Sequence, residues 1–570
     1  MQHIGILGGG PAALFLLKRL IEPNGNSIKI TIIEKTNQLG AGMPYSKQGA
    51  CNEHVTNVSG NEIPGIVTSV GEWVKDAPEH LLKKFSINED NFHDYKVLPR
   101  LFFGEYLSEQ FDLLLMQAKE NGISVNILYK TEVQNVFDDA ITGKVDVITN
   151  KDKLSFDRIV ICTGHNWQKK YEGEVEGWFD SPYPPSKLTG PNNYSVAVRG
   201  ASLSAIDAIK TLARNNGSFT KTGDGELQYK LNTSSPDFRI VMHSLHGLMP
   251  ALRFHLNDTH LSPEAALTPS EIQELKNENG GYVPLDHLFE EKFKASIKEK
   301  RPEFYEKIRD MNMEAFVEYT LARREKLDAF RLMSSEYAEA EKSIKRKRSI
   351  IWKEELGSLS YIINYPAKHF CAEDMLRFKK VLMPLISIII AYVPQSSCDE
   401  LLTLHDAGIL RLIAVDEKSS VVPGEDGGAV YRHFDEEGKE HINRYQLFVD
   451  AVGQQAFDYG NFIFKGLIKS ETVSPARLKF KDAKNGKAQK GKAIDSVERI
   501  DKDNYYLKVP GISINDHFQV LDRFGAANDR IYLMAVPYMA GLNPDFSGLD
   551  FCEAASGIIA KSLLKTQVAF

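Results

Sequence analysis

The sequence predicts an α/β protein with a Rossmann-like dinucleotide-binding domain, a second nucleotide-binding-like domain and a large helical insertion. Three observations support this prediction. A glycine-rich turn joins an apolar strand to an apolar helix in "HIGILGGGPAALFLLKRLIE" (residues 3–22), and a similar turn recurs in "SVAVRGASLSAIDA" (195–208). Residues 262–420 carry apolar positions at helical spacing, surrounded by charge. The 570 residues exceed what one core accommodates, so two or three domains are expected.

Composition narrows the function classes. The net charge of −7 gives no reason to expect nucleic acid as a partner. None of the five cysteines forms a CxxC pair, which argues against a disulfide scaffold, a zinc knuckle and a redox dithiol. The first residues lead directly into a strand without the basic region of a signal peptide, and the apolar run 381–393 is too short for a bilayer. We expect a cytoplasmic protein with no membrane span, no metal site and a small-molecule substrate.

The first turn has the spacing G-x-G-x-x-A, formed by Gly8, Gly10 and Ala13. Gly8 permits a tight turn, Gly10 lets the backbone approach a pyrophosphate, and Ala13 lets the helix pack closely on the strand. Pro11 and Ala12 lie at the helix start, where free N–H groups and the helix dipole favour an anion. The turn is therefore predicted to hold the diphosphate of a dinucleotide.

The next strand supports a dinucleotide ligand. It spans residues 28–34 and ends in Glu34, followed by Lys35. A carboxylate at this place binds the ribose hydroxyls of the adenosine half. A tight strand–helix turn without any ligand is the alternative explanation.

Three downstream signals favour FAD over NAD at this site. The loop 40–46 contributes Gly42, Met43 and Tyr45. Residues 121–136 are predicted as a strand pair that brings Val133 toward the adenine. A further apolar strand, "FDRIVICTGH" (156–165), runs into Thr163 and Gly164, a turn that in two-domain flavoproteins passes close to FAD.

The chain resembles the FAD/NAD(P)-binding flavoprotein family, which is distantly similar to flavin-dependent N-hydroxylating and Baeyer–Villiger monooxygenases. The resemblance rests on the segments "GAGMPYS" (40–46), "HVTNV" (54–58), "LPRLFFGEYL" (98–107), "SVAVRGASLSAIDA" (195–208) and "VMHSLHGLMP" (241–250). It covers residues 1–250 well and the last 130 residues loosely. It implies FAD as the cofactor, with Asn57 and Arg100 in the cofactor region, and NAD(P)H as the candidate second nucleotide.

Two positions depart from the family pattern. Ser202 replaces the second glycine of the second turn, where its β-carbon crowds a pyrophosphate, and Leu245 replaces an arginine able to bind a phosphate. Both changes weaken the case for NAD(P)H. A packed turn without a nucleotide is the alternative explanation of residues 195–208.

The domain organisation follows from these motifs. Residues 1–190 with 445–570 are predicted to form the FAD-binding domain, and residues 191–261 with 421–444 the second nucleotide-binding-like domain. The helical insertion, residues 262–420, is expected to be a cap, a substrate wall or an interface, and the last of these would allow an oligomer. We see no internal repeat.

The C-terminal helix completes the predicted FAD site. In many flavoproteins the final helix directs its N-terminus at the flavin, where its dipole stabilises negative charge. Residues 543–549, with Asn543, Gly548 and Leu549, are therefore placed beside the isoalloxazine. The sequence identifies no catalytic base. His54, Arg100, His165, His246 and Tyr538 are candidates for acid–base or substrate contact, and each also has a purely structural explanation.

These inferences point to an FAD-dependent oxidoreductase that acts on a small organic substrate, with NAD(P)H-dependent monooxygenation as the leading reaction. A flavin oxidase or dehydrogenase reduced by its own substrate is one alternative. A non-catalytic FAD-binding protein whose insertion docks a partner is the other.

Overall fold

Two parallel sheets organise the protein. The computed structural model describes residues 1–22, 28–88, 91–93, 95–257, 266–435, 437–491, 496–544 and 548–565. Over these residues the α/β class, the Rossmann-like first domain and the helical region agree with the prediction.

The first half of the chain builds the first sheet. β9, β1, β2 and β5 lie side by side and parallel. The strands of this half are β1 Gln2–Leu7, β2 Ile28–Ile33, β3 Val55–Ser59, β4 Val97–Pro99, β5 Ser124–Leu128, β6 Val133–Asp139, β7 Lys144–Thr149, β8 Lys153–Phe156 and β9 Arg158–Ile161. Its helices are α1 Pro11–Ile21, α2 Val70–Asp76, α3 Glu79–Phe85 and α4 Arg100–Glu120.

The second half builds a second all-parallel sheet in the order β10-β19-β11-β14-β15. Its strands are β10 Trp178–Phe179, β11 Ser195–Arg199, β12 Gly217–Lys221, β13 Leu227–Leu231, β14 Arg239–Leu245, β15 Leu410–Val415, β16 Ser420–Pro423, β17 Ala429–Phe434, β18 Glu440–Tyr445 and β19 Leu447–Asp450. The helix α5, Leu203–Asn216, follows β11 as α1 follows β1.

The two halves repeat one topology. In each, the strand before the glycine turn, β1 or β11, is flanked on one side by a parallel strand that follows later, β2 or β14, and on the other by the last strand of the half, β9 or β19. A three-stranded antiparallel sheet precedes that last strand in both: β6-β7-β8 before β9, and β16-β17-β18 before β19. This repeat lies in strand order and not in residue identity, so it differs from the expectation of no internal repeat.

The helical insertion interrupts the second half between β14 and β15. Its helices are α6 Pro269–Glu278, α7 Leu285–Leu288, α8 Ala295–Lys300, α9 Pro302–Ile308, α10 Met313–Glu325, α11 Ala329–Arg346, α12 Ile351–Asn364, α13 Ala372–Arg377, α14 Met383–Ile389 and α15 Gln395–Asp406. The predicted helical range, residues 262–420, begins partly outside the described residues and ends too late. Residues 410–415 form β15, because this apolar stretch completes the second parallel sheet beside β14.

The C-terminal region returns to the first sheet. Its strands are β20 Pro475–Lys479, β21 Val497–Arg499, β22 Tyr505–Ile512, β23 Gln519–Leu521 and β24 Ala527–Leu533, and its helices are α16 Lys465–Lys469, α17 Ala483–Gly491 and α18 Leu549–Lys565. β24 pairs in parallel with β9, and β23 adds an antiparallel edge. Lys18 of α1 pairs with Glu553 at 3.1 Å, which ties the last helix to the first.

The structure corrects three assignments that were made from the sequence. β19 lies within residues 445–570 and β10 within residues 1–190, both assigned to the FAD-binding domain, yet both strands belong to the second sheet. They do so because β19 is the last strand of the second repeat and pairs with β11 and β10. The predicted strand pair in residues 121–136 is two strands of different sheets, since β5 pairs with β2 and β6 with β7.

The apolar run at 381–393 is part of the packed interior, with Leu385, Ile386 and Ile389 of α14 fully buried. In the part of the chain that the structure describes, no helix is both long and apolar enough to cross a membrane.

The packing of β19 against β10 predicts that Phe448 contributes to the stability of the second sheet. This side chain on β19 is fully buried, and its ring centre lies 4.4 Å from that of Trp178 on β10. Phe448→Ala should lower stability by about 3–5 kcal/mol because it leaves a cavity in the core on the face of the sheet beside Trp178. Urea denaturation followed by tryptophan fluorescence measures this. The control is Phe524→Ala, whose side chain is 79% exposed; a loss of similar size there would contradict the prediction.

Candidate functional site

The first glycine turn is fixed by a close backbone approach. Gly8 has φ +107°, and its N–H donates to the Ile33 carbonyl oxygen at 2.9 Å. A Cβ on Gly8 would lie 2.6 Å from the carbonyl oxygen of Cys162. Only glycine tolerates both the left-handed φ and this contact, so the turn brings the ends of β1, β2 and β9 together.

The start of α1 leaves backbone donors available. Gly10 is the N-cap residue and Pro11 the first helical residue, and no side chain caps the helix. A Cβ on Gly10 would meet only Gly42, at 3.3 Å, within 4 Å. Ala12 is half-buried, whereas Ala13 is fully buried against the sheet. The first N–H groups of a helix have no partner within the helix, so this end can bind an anion.

Glu34 is held against the same turn. One carboxylate oxygen accepts the Gly9 N–H and the other accepts the Thr36 N–H, both at 2.8 Å. Lys35 beside it is exposed. The Thr131 N–H donates to the Glu34 carbonyl oxygen at 2.9 Å, which brings the beginning of β6, with Val133, to this edge of the sheet.

Thr163 and Gly164 follow β9 and border the glycine turn. The Thr163 backbone nitrogen lies 3.4 Å from where a Gly8 Cβ would be. The Thr163 hydroxyl oxygen is buried and has no hydrogen-bond partner among the described residues. A Cβ on Gly164 would meet nothing within 4 Å. The turn therefore combines an unsatisfied buried polar group with open space.

The loop after β2 packs over α1 and near α18. Gly42 has φ +58°, and a Cβ there would lie 2.9 Å from Pro11. The Tyr45 ring packs edge-on against Phe103 at 5.0 Å. Burial raises the pKa of Tyr45 to about 12, with Arg100 opposing and Cys552 and Asp550 adding to the rise. These charges place the first turn of α18 beside the loop that contains Met43.

The N-terminus of α18 faces polar groups of α12. Gly548 has φ +96° and precedes Leu549, the first helical residue. Asn543 is fully buried, and its amide nitrogen donates to the Asn364 carbonyl oxygen at 2.8 Å. The side-chain oxygens of Asn543, Asn364 and Tyr365 have no hydrogen-bond partner within the described ranges. Residues 545–547 of the predicted flavin segment lie outside those ranges.

These features fit a bound dinucleotide. The uncapped start of α1 suits a diphosphate, Glu34 lies where a ribose is bound, and the Thr163 hydroxyl lacks the partner that a ligand would provide. The residues of this region that the sequence predicts to hold FAD are Gly8, Gly10, Pro11, Ala12, Ala13, Glu34, Lys35, Gly42, Met43, Tyr45, Val133, Thr163, Gly164, Asn543, Gly548 and Leu549. When bound, FAD would supply two-electron redox chemistry.

The second turn reproduces the first. Gly200 has φ +110°, donates its N–H to the His243 carbonyl oxygen at 2.9 Å, and would place a Cβ 2.7 Å from the Ala451 carbonyl oxygen. Ser202 is the N-cap of α5 with φ −88° and ψ −168°, close to the −82° and −162° of Gly10. Its exposed side chain does not cap α5. Gly453, after β19, has open space at its Cβ position, as Gly164 has after β9.

The two turns meet across the domain interface. His165 follows Gly164 and Gln454 follows Gly453, and the His165 Nδ1 lies 2.6 Å from the Gln454 Oε1. Burial lowers the pKa of His165, although the bond to Gln454 opposes this shift, so the imidazole is neutral near pH 7. The amide nitrogen of Gln454 is buried without a partner in the described structure. The carboxyl ends of both sheets therefore lie on either side of this contact, and the region between them is termed the crevice.

An ion pair closes the interface beside this crevice. Arg100, at the start of α4, pairs with Asp207 of α5 at 2.6 Å, and Tyr183 donates its hydroxyl to the same carboxylate oxygen at 2.7 Å. The Nε2 of His54 lies 3.0 Å from the Thr211 hydroxyl of α5. Burial alone would raise the pKa of Asp207, but Arg100, then His54 and Tyr183, outweigh it and hold that pKa below its usual value.

The sequence-predicted residues therefore divide into two groups. Most gather at the first turn. Arg100 and Asn57 do not: Arg100 binds Asp207, and the Asn57 amide lies 3.4 Å from the Ala391 carbonyl oxygen of the insertion. Their assignment to FAD stays a prediction. His246 is exposed with φ +55°, and Tyr538 is fully buried against Phe462.

Four residues of this region were missed by sequence reasoning: Asp207, Tyr183, Gln454 and Tyr365. The first had a signal, because an acid on the apolar face of α5 needs a buried partner. Gln454 could have been found from its position after Gly453, which matches that of His165 after Gly164. The other two carried no local signal.

Comparison with family models bears on the first half directly. Residues 5–166 match the family model described as FAD-NAD(P)-binding. These residues form an FAD-NAD(P)-binding domain. The match confirms the predicted cofactor type, FAD with NAD(P), while the individual contacts stay predictions. Residues 268–390 match the model of the YdhS-like middle domain, which lies within the helical insertion.

Whole-chain comparisons give weaker likenesses. The protein YdhS of Escherichia coli (strain K12) is 27% identical over 573 residues, covering 99% of this chain and 98% of that protein. Among solved structures, an ornithine N-hydroxylase of Kutzneria sp. 744 has a TM-score of 0.46 at 14% identity, with both chains covered completely. Thioredoxin reductase of Lactococcus lactis has a TM-score of 0.40 at 10% identity, again over both whole chains.

The unsatisfied Thr163 hydroxyl makes the FAD site testable. Thr163→Val removes it with little change in shape, so the cofactor-free protein should be as stable as the wild type or more stable. FAD affinity should fall by up to about tenfold, the value of one hydrogen bond. Thermal unfolding and fluorescence titration with FAD measure the two effects. Thr220→Val, on an exposed position of β12, is the control. Unchanged FAD affinity in Thr163→Val would contradict the assignment.

The Arg100–Asp207 pair predicts a pH-dependent stability. Because the pKa of Asp207 is lowered on folding, its contribution is present above the unfolded value of about 3.9 and is lost as pH falls through the folded value. Asp207→Asn should therefore cost about 3–5 kcal/mol at neutral pH, and less as the solution becomes more acidic than about pH 4. Denaturation at several pH values tests this, with the exposed Asp406→Asn as control. A pH-independent difference would refute it.

Proposed function

We propose that the protein is an NAD(P)H-dependent flavin monooxygenase that acts on a small organic substrate. The balanced reaction consumes NAD(P)H, a proton, molecular oxygen and substrate, and yields NAD(P)⁺, water and the oxygenated product. The observation that supports this proposal is the second glycine turn, which repeats the first and opens onto the same crevice.

The repeat provides a place for a second nucleotide. Gly200 makes the same close approach to a strand end as Gly8, and the start of α5 is uncapped, as is the start of α1. The His165–Gln454 contact brings the two turns close enough for nucleotides bound at each to share one crevice. Such an arrangement suits hydride transfer from one nucleotide to the other.

The protein's own residues have defined tasks in this reaction. The donors at the start of α1 and α5 would bind the two diphosphates. The Arg100–Asp207 pair fixes the halves in register. His165 is held by the Gln454 side-chain oxygen, and the buried Gln454 amide nitrogen has no partner among the described residues, so it is available to a bound ligand. The Trp167 ring lies next to this pair, with its centre 5.5 Å from that of His165 and 5.2 Å from that of Tyr183.

Ser202 bears on the choice of electron donor. Its backbone conformation matches that of Gly10, so its side chain points where a Cβ on Gly10 would point. The exposed hydroxyl is free of the helix cap and can donate to a phosphate. In the first half Leu7 pairs with Ile33, and Glu34 is the next residue. In the second half Arg199 pairs with His243, so Ser244 takes the position of Glu34. The end of β14 therefore has neither the acid typical of NAD sites nor, at Leu245, the arginine typical of NADP sites.

The serine at position 202 favours one alternative function. If Ser202 blocks the second turn, the flavin would be reduced by the substrate itself, and the protein would be an oxidase or dehydrogenase. The same experiment distinguishes the two reactions.

Anaerobic mixing of the FAD-loaded protein with NADPH and then NADH tests the proposal. The visible flavin absorbance should bleach with at least one nucleotide. Ser202→Val should weaken the apparent nucleotide affinity by at least about tenfold, since its methyl groups occupy the diphosphate approach, and Ser202→Gly should retain or tighten it. FAD content serves as the control in both variants. A flavin that stays oxidised with both nucleotides would contradict NAD(P)H dependence and favour the alternative.

A further inference from the structure

A histidine at the meeting point of the two turns presents an unused ring nitrogen. His165 follows Gly164, and the turn before it borders the first glycine turn, since the Thr163 backbone nitrogen lies 3.4 Å from the Cβ position of Gly8. A Cβ on Gly164 would meet nothing within 4 Å, so the turn leaves open space immediately before His165. The half-buried ring lies 5.5 Å from that of Trp167, inclined to it by 27°. His165 is therefore held beside the region predicted to take FAD.

The contact with Gln454 determines which ring nitrogen carries the proton. The His165 Nδ1 lies 2.6 Å from the Gln454 Oε1. A carbonyl oxygen can only accept a hydrogen bond, so Nδ1 donates and carries the hydrogen. The reversed amide would bring two nitrogen atoms to this distance, which suits them less because nitrogen is the larger atom. In the neutral imidazole the lone pair therefore lies on Nε2.

The Nε2 of His165 is free to accept a proton. It makes no hydrogen bond to the described residues, and it is not among the polar atoms that the protein shuts off from solvent. Burial lowers the pKa of His165, and the bond to Gln454 opposes that shift. No charged side chain of the described structure contributes to it. The ring is consequently neutral near pH 7, with its basic nitrogen exposed.

The other acid–base candidates from the sequence lack such an atom. Both ring nitrogens of His54 have hydrogen-bond partners, and the side chain is almost fully buried. Arg100 is a cation and has no lone pair to offer. Burial raises the pKa of Tyr538 to about 12, so its hydroxyl keeps its proton. His246 is exposed, but it lies after β14 in the second half and away from the first turn.

We infer that His165 is the proton acceptor of the site and that the substrate carries an O–H or N–H group at the atom that reacts. In this step the O–H or N–H bond breaks, its electron pair stays on the oxygen or nitrogen, and a new N–H bond forms at Nε2. No electron passes to or from the protein, and the imidazolium afterwards releases the proton to water. The inference rests on the proposed function, because it concerns the substrate of that reaction.

The step assigns a role to Gln454 and restricts the substrate class. Gln454 is a positioning residue, since its carbonyl oxygen keeps the proton on Nδ1 and the lone pair on Nε2. Amines and alcohols have a proton at the reacting atom that such a base removes. Thioethers and ketones have none there, so His165 gives no advantage for them.

Acylation with diethyl pyrocarbonate tests the free nitrogen in the FAD-loaded full-length protein, because this reagent requires an unprotonated imidazole. Peptide mass mapping reads each histidine separately. His165 should be acylated, exposed His246 should be acylated as the positive control, and buried His54 should stay unmodified. The rate at His165 should begin to fall at a lower pH than that of N-acetylhistidine, whose pKa is about 6.5. An unmodified His165 beside a modified His246 would overturn the inference.

Gln454→Glu tests the positioning role. A carboxylate at this place stabilises the imidazolium, so the pH at which acylation of His165 is half-maximal should rise by about one pH unit or more. Gln455→Glu, at the exposed neighbouring position, is the matched control and should shift it much less. FAD content and melting temperature show whether both variants fold. The same pH dependence in Gln454→Glu and in the wild type would show that Gln454 does not hold the ring.

Turnover of benzylamine, benzyl alcohol and thioanisole with NADPH and oxygen tests the substrate class. Product from the amine or the alcohol should fall by about a hundredfold in His165→Gln, a typical contribution of a general base. Product from thioanisole that His165→Gln leaves unchanged would contradict the inference. The acylation result decides it even where none of the three probes is turned over. A flavin that stays oxidised with both nucleotides would refute the proposed function and leave the acylation pattern as predicted.

Discussion

The architecture depends on a close contact between a glycine and the end of a neighbouring strand, made once in each half. A Cβ on Gly8 would lie 2.6 Å from the Cys162 carbonyl oxygen, and one on Gly200 would lie 2.7 Å from the Ala451 carbonyl oxygen. These contacts draw the first and last strands of each half together, so that the helix start, the turn after the last strand and the open space between them coincide. Both turns are consequently shaped for an extended phosphate ligand before any side chain is considered.

The interface determines how the two turns are used together. The Arg100–Asp207 pair joins α4 to α5, and His165 meets Gln454 where the two last strands end. A buried ion pair adds little net stability, because desolvation offsets much of its attraction. Its main effect is on the relative orientation of the two partners. Here it fixes which faces of the two halves meet. The relative placement of the two turns therefore follows from the repeat and from one charged contact, while the insertion places Asn364 against Asn543.

The features that depend on neighbouring residues were predicted correctly from the sequence. The G-x-G-x-x-A spacing, the acid after β2 and the helical periodicity of the insertion each follow from a run of neighbouring residues, and the structure has these features. Sheet membership of β10 and β19 was assigned wrongly because pairing partners lie far apart in the chain. The pairing of Arg100 with Asp207 could not be predicted, because the two residues lie far apart in the chain. The strand-order repeat was invisible because equivalent positions, such as Gly10 and Ser202, hold different residues.

The most direct test of the account is calorimetric titration of the cofactor-free protein with FAD, comparing the wild type with Gly10→Val and Gly223→Val. Gly223 has open space around its Cβ position in the hairpin between β12 and β13, so its variant controls for the substitution itself. The account predicts one FAD per chain for the wild type and the control, and loss of binding in a folded Gly10→Val protein. Undiminished FAD binding by Gly10→Val would show that the first glycine turn does not hold the cofactor.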